Sequence, residues 1–283
     1  MSLIQARIPK PSAPSSGGEA DAGVDLRLRD GEGSKLSPLS YSTGRSQTEV
    51  VEDVLEAFES SDLVFLKGVV GSGKSVIGIR IELEFGGGVV SVPTKVLSRQ
   101  YREDYERDKY FLAEDGERAK IRVLKGRRNF TCPYLEEEHP ESGQKSCQNR
   151  SLPCSRPLDR DESRPEALRE CPHWGFILPT SSSLKKMDEH AGSYRSLAGR
   201  HSLLLKQDGE CPYWRQFESY LDADVNVMNS PERFSCMYFS RKLLILSTVF
   251  SGLGASFLLL LPKSFLLTAL YFSPLFLAFM WRR

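Results

Sequence analysis

Two groups of residues in this chain have types and spacings suited to chemistry. The first is Gly68-Val69-Val70-Gly71-Ser72-Gly73-Lys74-Ser75, a G-x-x-x-x-G-K-[ST] string. Gly71 and Gly73 lack the Cβ that would block unusual backbone angles, so successive N–H groups can turn toward a phosphate. Lys74 has the charge and reach for the β- and γ-phosphates of ATP, and the Ser75 hydroxyl can complete the shell of a Mg²⁺ ion. The positive end of a following helix would add to the attraction. The second group is the cysteines Cys132, Cys147, Cys154, Cys171 and Cys211, the first four of them within forty residues. That density exceeds what packing thiols need, and thiolates are the ligands of iron–sulfur clusters and of zinc. His173, in Cys171-Pro172-His173-Trp174, adds a nitrogen donor for a three-Cys-plus-His zinc site, although a lone loop histidine is more often not a ligand. A sixth cysteine, Cys236, stands outside the pattern.

Positioning the first group requires a strand before the glycine loop and a helix after it. Ser46 can cap a helix whose apolar positions Val50, Val51, Val54, Leu55 and Phe58 share one face. The run Leu63-Val64-Phe65-Leu66 has the length and composition of a buried parallel strand and leads directly into Gly68. Val76, Ile77, Ile79, Ile81 and Leu83 then mark a helix that ends at Gly86-Gly87-Gly88. Val89 to Val92 predicts a second strand, Pro93-Thr94-Lys95 opens another helix, and Ile121 to Leu124 predicts a third strand. Strands alternating with helices imply an α/β fold with a parallel sheet.

In order along the chain, several segments resemble the iron–sulfur DNA helicases related to the xeroderma pigmentosum group D protein and to DinG. Arg45 and Gln47 stand where that family places its adenine-side Arg/Gln element, and Gly68 to Ser75 match its Walker A motif. Val92-Pro93-Thr94-Lys95 with Leu97 and Gln100 look like its DNA-backbone motif. Leu124 to Cys132 resemble its entry into the cluster domain, with Arg127 at the family's arginine beside the first cysteine. Cys211-Pro212-Tyr213-Trp214 and Ala223 to Asn229 resemble its return into the motor. The resemblance implies a RecA-like P-loop domain that binds ATP through Gly68, Gly71, Ser72, Gly73, Lys74, Ser75, Arg45 and Gln47. It implies DNA as partner, single-stranded or forked, through Thr94, Lys95 and Arg127. It also implies a [4Fe–4S] cluster on four of Cys132, Cys147, Cys154, Cys171 and Cys211, with zinc as the alternative. Cys132, Cys147 and Cys154 come first; spacing leaves open whether Cys171 or Cys211 is the fourth. Phe130, Arg128 and Trp174 either stack on single-stranded DNA or pack around the metal centre.

A motor of this class also needs a DEAH-type carboxylate pair at the end of an apolar strand. Asp188-Glu189-His190-Ala191 has the wrong order and no strand before it, and Asp222 and Asp224 precede a strand-like run instead of following one. With no second motor domain either, the expectation is nucleotide binding with poor or no hydrolysis.

Charge and apolarity are unevenly spread. Of 38 basic and 37 acidic residues, only the five basic residues Arg241, Lys242, Lys263, Arg282 and Arg283 lie beyond Met237, which leaves 33 basic against 37 acidic before it. Leu243 to Leu261 is a run of 19 uncharged residues, and Ser264 to Trp281 adds another 18 after Pro262-Lys263. Basic residues flank both ends, as in a transmembrane helical hairpin with its ends on the cytoplasmic side. The competing account is a truncated or frame-shifted reading of a longer helicase. No apolar run follows Met1, so a secretory signal is not expected.

The expected organisation is a disordered leader (1–44), the first part of a P-loop motor (45–125), a loop-heavy cysteine-rich Fe–S domain (126–211) and a return to the motor (212–240). One or two hydrophobic C-terminal helices (241–283) follow. The expected location is cytoplasmic, with membrane association through that last segment.

Overall fold

The computed structural model describes residues 3–8, 25–61, 63–141, 143, 145–157, 163–179, 190–196, 199–206, 208–228, 243–250 and 254–260. In chain order the strands and helices are β1 (Leu3–Ile8), β2 (Leu28–Asp30), α1 (Gln47–Ser60), β3 (Leu63–Gly68), α2 (Lys74–Glu84) and β4 (Gly88–Ser91). Next come α3 (Lys95–Glu103), a π-helical turn (Asp104–Asp108), β5 (Lys109–Phe111), β6 (Ile121–Leu124), α4 (Pro133–Glu137) and α5 (Arg164–Arg169). The remainder are β7 (Gly175–Pro179), β8 (His190–Ser196), β9 (Gly199–Leu205), α6 (Pro212–Leu221), β10 (Val225–Met228), β11 (Leu243–Phe250) and β12 (Gly254–Leu260). Two compact units divide these elements. One contains the described residues up to Val123 together with β10, β11 and β12, and the other runs from Leu124 to Ala223.

The first unit is a mixed α/β domain on a seven-stranded sheet of order β1-β3-β12-β11-β4-β10-β6. β4 lies parallel to both β10 and β11, and β1 is parallel to β3, while β12 runs antiparallel to β11 and β3. Following those senses across the sheet, β3, β11, β4 and β10 all point the same way. The local signals explain the elements. Ser46 and Glu49 form a reciprocal capping box that starts α1, and Val50, Val51, Val54 and Phe58 are buried on its inner face. α2 buries Ile77, Ile79 and Ile81 around its circumference, as a helix enclosed on several sides does. Every residue of β4 is buried, so its Gly-Val-Val-Ser sequence shows no alternation.

Three expectations are corrected here. Residues 25–44, read as part of a disordered leader, belong to the first unit. Leu26, Leu28 and Tyr41 are core residues, and Arg80 Nε donates to the Asp25 carbonyl at 2.8 Å. β1 likewise pairs with β3 through the full register Leu3↔Leu63 to Ile8↔Gly68; the Pro9–Gly23 stretch lies outside the described residues. The apolar run Leu243–Leu261, read as a membrane helix, forms two strands instead. β11 pairs with β12 and β4, and β12 pairs with β11 and β3, so both are interior strands whose polar backbone is paired on both edges. An interior strand pair reads as a continuous apolar run, and length alone does not separate it from a helix. Among the described residues no helix is long and apolar enough to cross a membrane; the run Ser264–Trp281 lies outside them.

The third correction concerns the second unit, read as loop-heavy. It carries an antiparallel sheet of order β7-β9-β8 with Leu203, Leu204 and Leu205 buried on β9. Its apolar stretches, Phe176-Ile177-Leu178 and Leu203-Leu204-Leu205, are short and set among polar and charged residues, which hides them in an averaged composition.

Candidate functional site

The glycine loop of the first unit leaves the carboxyl end of β3 and enters α2, with β4, β10 and β11 ending at the same edge of the sheet. This is the edge at which open α/β sheets bind ligands. Gly71 and Gly73 take φ of +81° and +72°, in the left-handed region that glycine adopts without strain. Gly73 is also the residue before the first turn of α2.

Neighbouring segments hold the loop in shape. The Tyr41 hydroxyl donates to the Ser72 carbonyl at 2.9 Å, and burial pushes this phenol up to about 12, so it stays a neutral donor. Gln47 spends both ends of its amide, with Nε2 donating to the Gly73 carbonyl at 3.0 Å and Oε1 accepting from Leu39 N–H at 3.2 Å. Inside the loop Ser72 Oγ donates to the Val69 carbonyl at 2.8 Å. Gln47 is therefore a buried buttress of the loop. Arg45 pairs with Asp53 and also reaches the Glu49 carbonyl, so its guanidinium is engaged along α1. Tyr41 has no counterpart in the sequence reading, because its role depends on a contact spanning 31 residues.

Lys74 is the charged group of this site. It is 7% exposed, and its Nζ donates to the Gly68 carbonyl at 3.0 Å, to the Val69 carbonyl and to Ser72 Oγ at 3.2 Å. Among the described residues no carboxylate pairs with it. Burial accordingly lowers its pKa, since neutral oxygens replace only part of the lost hydration. Thr94 and Lys95 lie beyond β4 at the same sheet edge, and both are exposed. Thr94 Oγ1 caps α3 by accepting from Leu97 N–H at 3.2 Å. Asp224 sits at the opposite, amino end of β10, where its carboxylate accepts from Lys120 N–H at 2.7 Å, and it is remote from the loop edge.

The second unit brings all five predicted cysteines to one cavity. Cys132, Cys147, Cys154, Cys171 and Cys211 line one small cavity together with His173, Trp174 and Trp214. Three of these thiols begin Cys-Pro turns: Cys132 precedes α4, Cys211 precedes α6, and Cys171 starts Cys-Pro-His-Trp. Proline suits the first turn of a helix because no N–H is needed there. Burial raises all three thiols, Cys171 to about 12, against a downward pull from N–H groups just along the chain. Burial likewise raises Cys147 to about 12, with Arg127 pulling the other way.

Arg127 lies beside this cavity. Its Nη1 donates to Cys154 Sγ at 3.1 Å, while the guanidinium lies 4.7 Å from the Tyr213 ring centre and 5.9 Å from that of Trp214. Trp174 is buried against Cys171 and lines the cavity, whereas Phe130 packs edge-on to Tyr213 outside its lining; Arg128 is exposed and pairs with Gln148. His173 has both ring nitrogens occupied. Nδ1 accepts from Glu210 N–H at 3.1 Å and Nε2 meets Glu137 at 2.8 Å, which ties together the segments around Cys132, Cys171 and Cys211. In this arrangement it offers no free lone pair to a metal. Among the described residues no group of three or more His, Cys, Asp or Glu side chains is gathered closely enough for a single ion. Cys236 lies outside the described residues. No family model, no curated protein and no solved structure matches the chain.

Proposed function

We propose that this chain binds Mg–ATP at the Gly68–Ser75 loop and holds a [4Fe–4S] cluster on cysteines of its second unit. In this reading it engages DNA as the first motor part of an iron–sulfur helicase of the XPD/DinG type. The observation that carries the nucleotide reading is Lys74: a buried ammonium served only by neutral loop oxygens is a site in need of an anion. Gly71 and Gly73 leave room for phosphate oxygens against the backbone, Ser75 is the metal-side hydroxyl, and Gln47 and Tyr41 keep the loop in register. Thr94 and Lys95, exposed along the same edge, are the residues offered to a DNA backbone.

Five thiols lining one cavity are the donor type that a multi-iron cluster takes, and the family resemblance is what favours the cluster over zinc. Such a cluster would supply rigidity or electron transfer; the chain supplies thiolates, the Arg127 donor and an aromatic wall. Zinc is the alternative occupant.

Hydrolysis is expected to be weak. β11, beside β4 at the loop edge, ends in Thr248-Val249-Phe250, with no carboxylate to steady Mg²⁺ or orient water. Titration with a fluorescent ATP analogue tests the reading: Lys74→Ala should weaken binding about tenfold or more, and equal binding would refute it. DNA-stimulated phosphate release that disappears in Lys74→Ala would refute the non-hydrolysing part. Iron and sulfide analysis of anaerobically purified protein decides the cluster, and zinc alone would overturn it.

A further inference from the structure

The glycine loop has a neighbour that neither the motif nor the family resemblance identifies. The Tyr105 hydroxyl donates to Ser75 Oγ at 3.0 Å across 30 residues of chain. Tyr105 sits on the π-helical turn Asp104–Asp108 that follows α3 and is 3% exposed. Its ring is held between Tyr101 and Phe111, each with its ring centre 5.6 Å away. The turn itself is anchored, because Glu106 accepts from Val123 N–H at 3.1 Å through its carboxylate and from Arg118 at 3.3 Å through its carbonyl. One-turn π insertions are uncommon and frequently occur at functional sites.

We propose that Tyr105 is a positioning residue for the metal-binding serine, holding Ser75 Oγ in one orientation so that a lone pair is available to the Mg²⁺ of a bound nucleotide. The inference rests on the nucleotide reading above. A serine hydroxyl has three staggered positions and two lone pairs. A fixed outside donor occupies one lone pair and selects the rotamer, leaving the other lone pair and the O–H directed away from Tyr105. A phenol fits this task in its surroundings. Burial keeps Tyr105 protonated well beyond the physiological range, so it does not become an anion that would compete for the metal. Among the described residues this hydroxyl makes a side-chain hydrogen bond to Ser75 Oγ from outside the loop.

The experiment compares the full chain with Tyr105→Phe, Ser75→Ala and the double variant, titrating a fluorescent ATP analogue in Mg²⁺ and again in EDTA. Phenylalanine preserves the ring packing, so melting temperature and metal-free nucleotide affinity should match the parent. The gain in affinity on adding Mg²⁺ should shrink about fivefold, the scale of one neutral hydrogen bond. In the Ser75→Ala background the same change should have no further effect. An unaltered Mg²⁺ gain in Tyr105→Phe, or equal losses with and without Mg²⁺, overturns the positioning role while leaving the nucleotide reading standing. Failure of the parent chain to bind the analogue in either buffer overturns both.

Discussion

Arg127 Nη1 lies 3.1 Å from Cys154 Sγ, with its guanidinium laid over the Tyr213 ring, so the arginine expected to face DNA is engaged beside the cysteines. Two kinds of contact converge on one side chain: a donor to sulfur and cation–π contacts with the rings of Tyr213 and Trp214. Arg127→Ala should therefore loosen whatever metal centre the thiols hold. A hydrogen bond to a charged partner contributes about 1.5–3 kcal/mol, which corresponds to metal loss to a chelator roughly ten to a hundred times more readily. Arg127→Lys keeps the charge but not the planar fork and should fall between. Chelator kinetics identical to the parent in both variants would reduce the contact to incidental packing.

The wall behind that guanidinium is tight. A methyl group on Gly175 would lie 2.8 Å from Cδ2 of Trp214 and closer still to its Cγ and Cβ. Gly175→Ala should destabilise the second unit by about 1–3 kcal/mol, the usual cost of overpacking, and should make the thiols easier to strip of metal. Gly126→Ala is the matched control, since nothing lies within 4 Å of its new methyl. Urea unfolding of both variants reads the difference; equal midpoints would contradict the packing described.

How much of this was legible beforehand depended on the range of the interactions. The capping box of α1, its buried face and the strand–loop–helix at Gly68–Ser75 are written in residues a few positions apart, and each formed where expected. Gathering the five cysteines followed from the order of the motifs. What stayed hidden depended on distant partners. Leu26 and Leu28 join a core built from distant segments, and Arg80 reaches back across 55 residues to the adjacent Asp25. The run at Leu243 looks like a membrane helix until β3 and β4 stand on either side of it. His173 offers a donor for zinc on sequence alone, and only its distant partners Glu137 and Glu210 show both of its nitrogens engaged.

Gly73 links the loop conformation to its buttress. A Cβ there would overlap the Gln47 amide, and the φ of +72° would strain any other residue. Gly73→Ala should cost about 1–2 kcal/mol from the backbone angle alone, with a further loss from displacing Gln47. Adding Gln47→Ala should relieve the overlap but not the angle, so nucleotide affinity should recover in part. Full recovery, or none, would show that only one of the two effects operates.

The hairpin of β11 and β12 distinguishes a sheet from a membrane anchor through one proline. Ser247 faces Phe257 across the hairpin, in a strand paired on both edges. Ser247→Pro places a fixed φ and a ring in a paired strand and should destabilise the first unit by more than the ~1 kcal/mol of an average substitution. In a membrane-spanning helix a proline is tolerated, and the first unit should not respond. Thermal unfolding of the Ser247→Pro chain, followed through nucleotide binding, separates the two; an unchanged transition would argue against the strands.

The thiols predict a pH dependence with a definite sign. Burial raises Cys147 and Cys171 to about 12 in the folded, metal-free unit, against an ordinary value near 9, and moves Cys132 and Cys211 in the same direction. Between those values the folded state keeps protons that the unfolded state has released. The stabilisation is therefore complete below pH 9 and is lost as pH rises through the window toward 12. Metal loading reverses the demand, because the ligands must be thiolates: loading should release protons, and affinity should rise from neutral toward alkaline pH. Urea unfolding with EDTA and reductant across this range should show falling stability. Cys171→Ser, which removes one titrating thiol, should flatten the fall, and a slope identical to the parent would show that the buried Cys171 proton is not linked to folding.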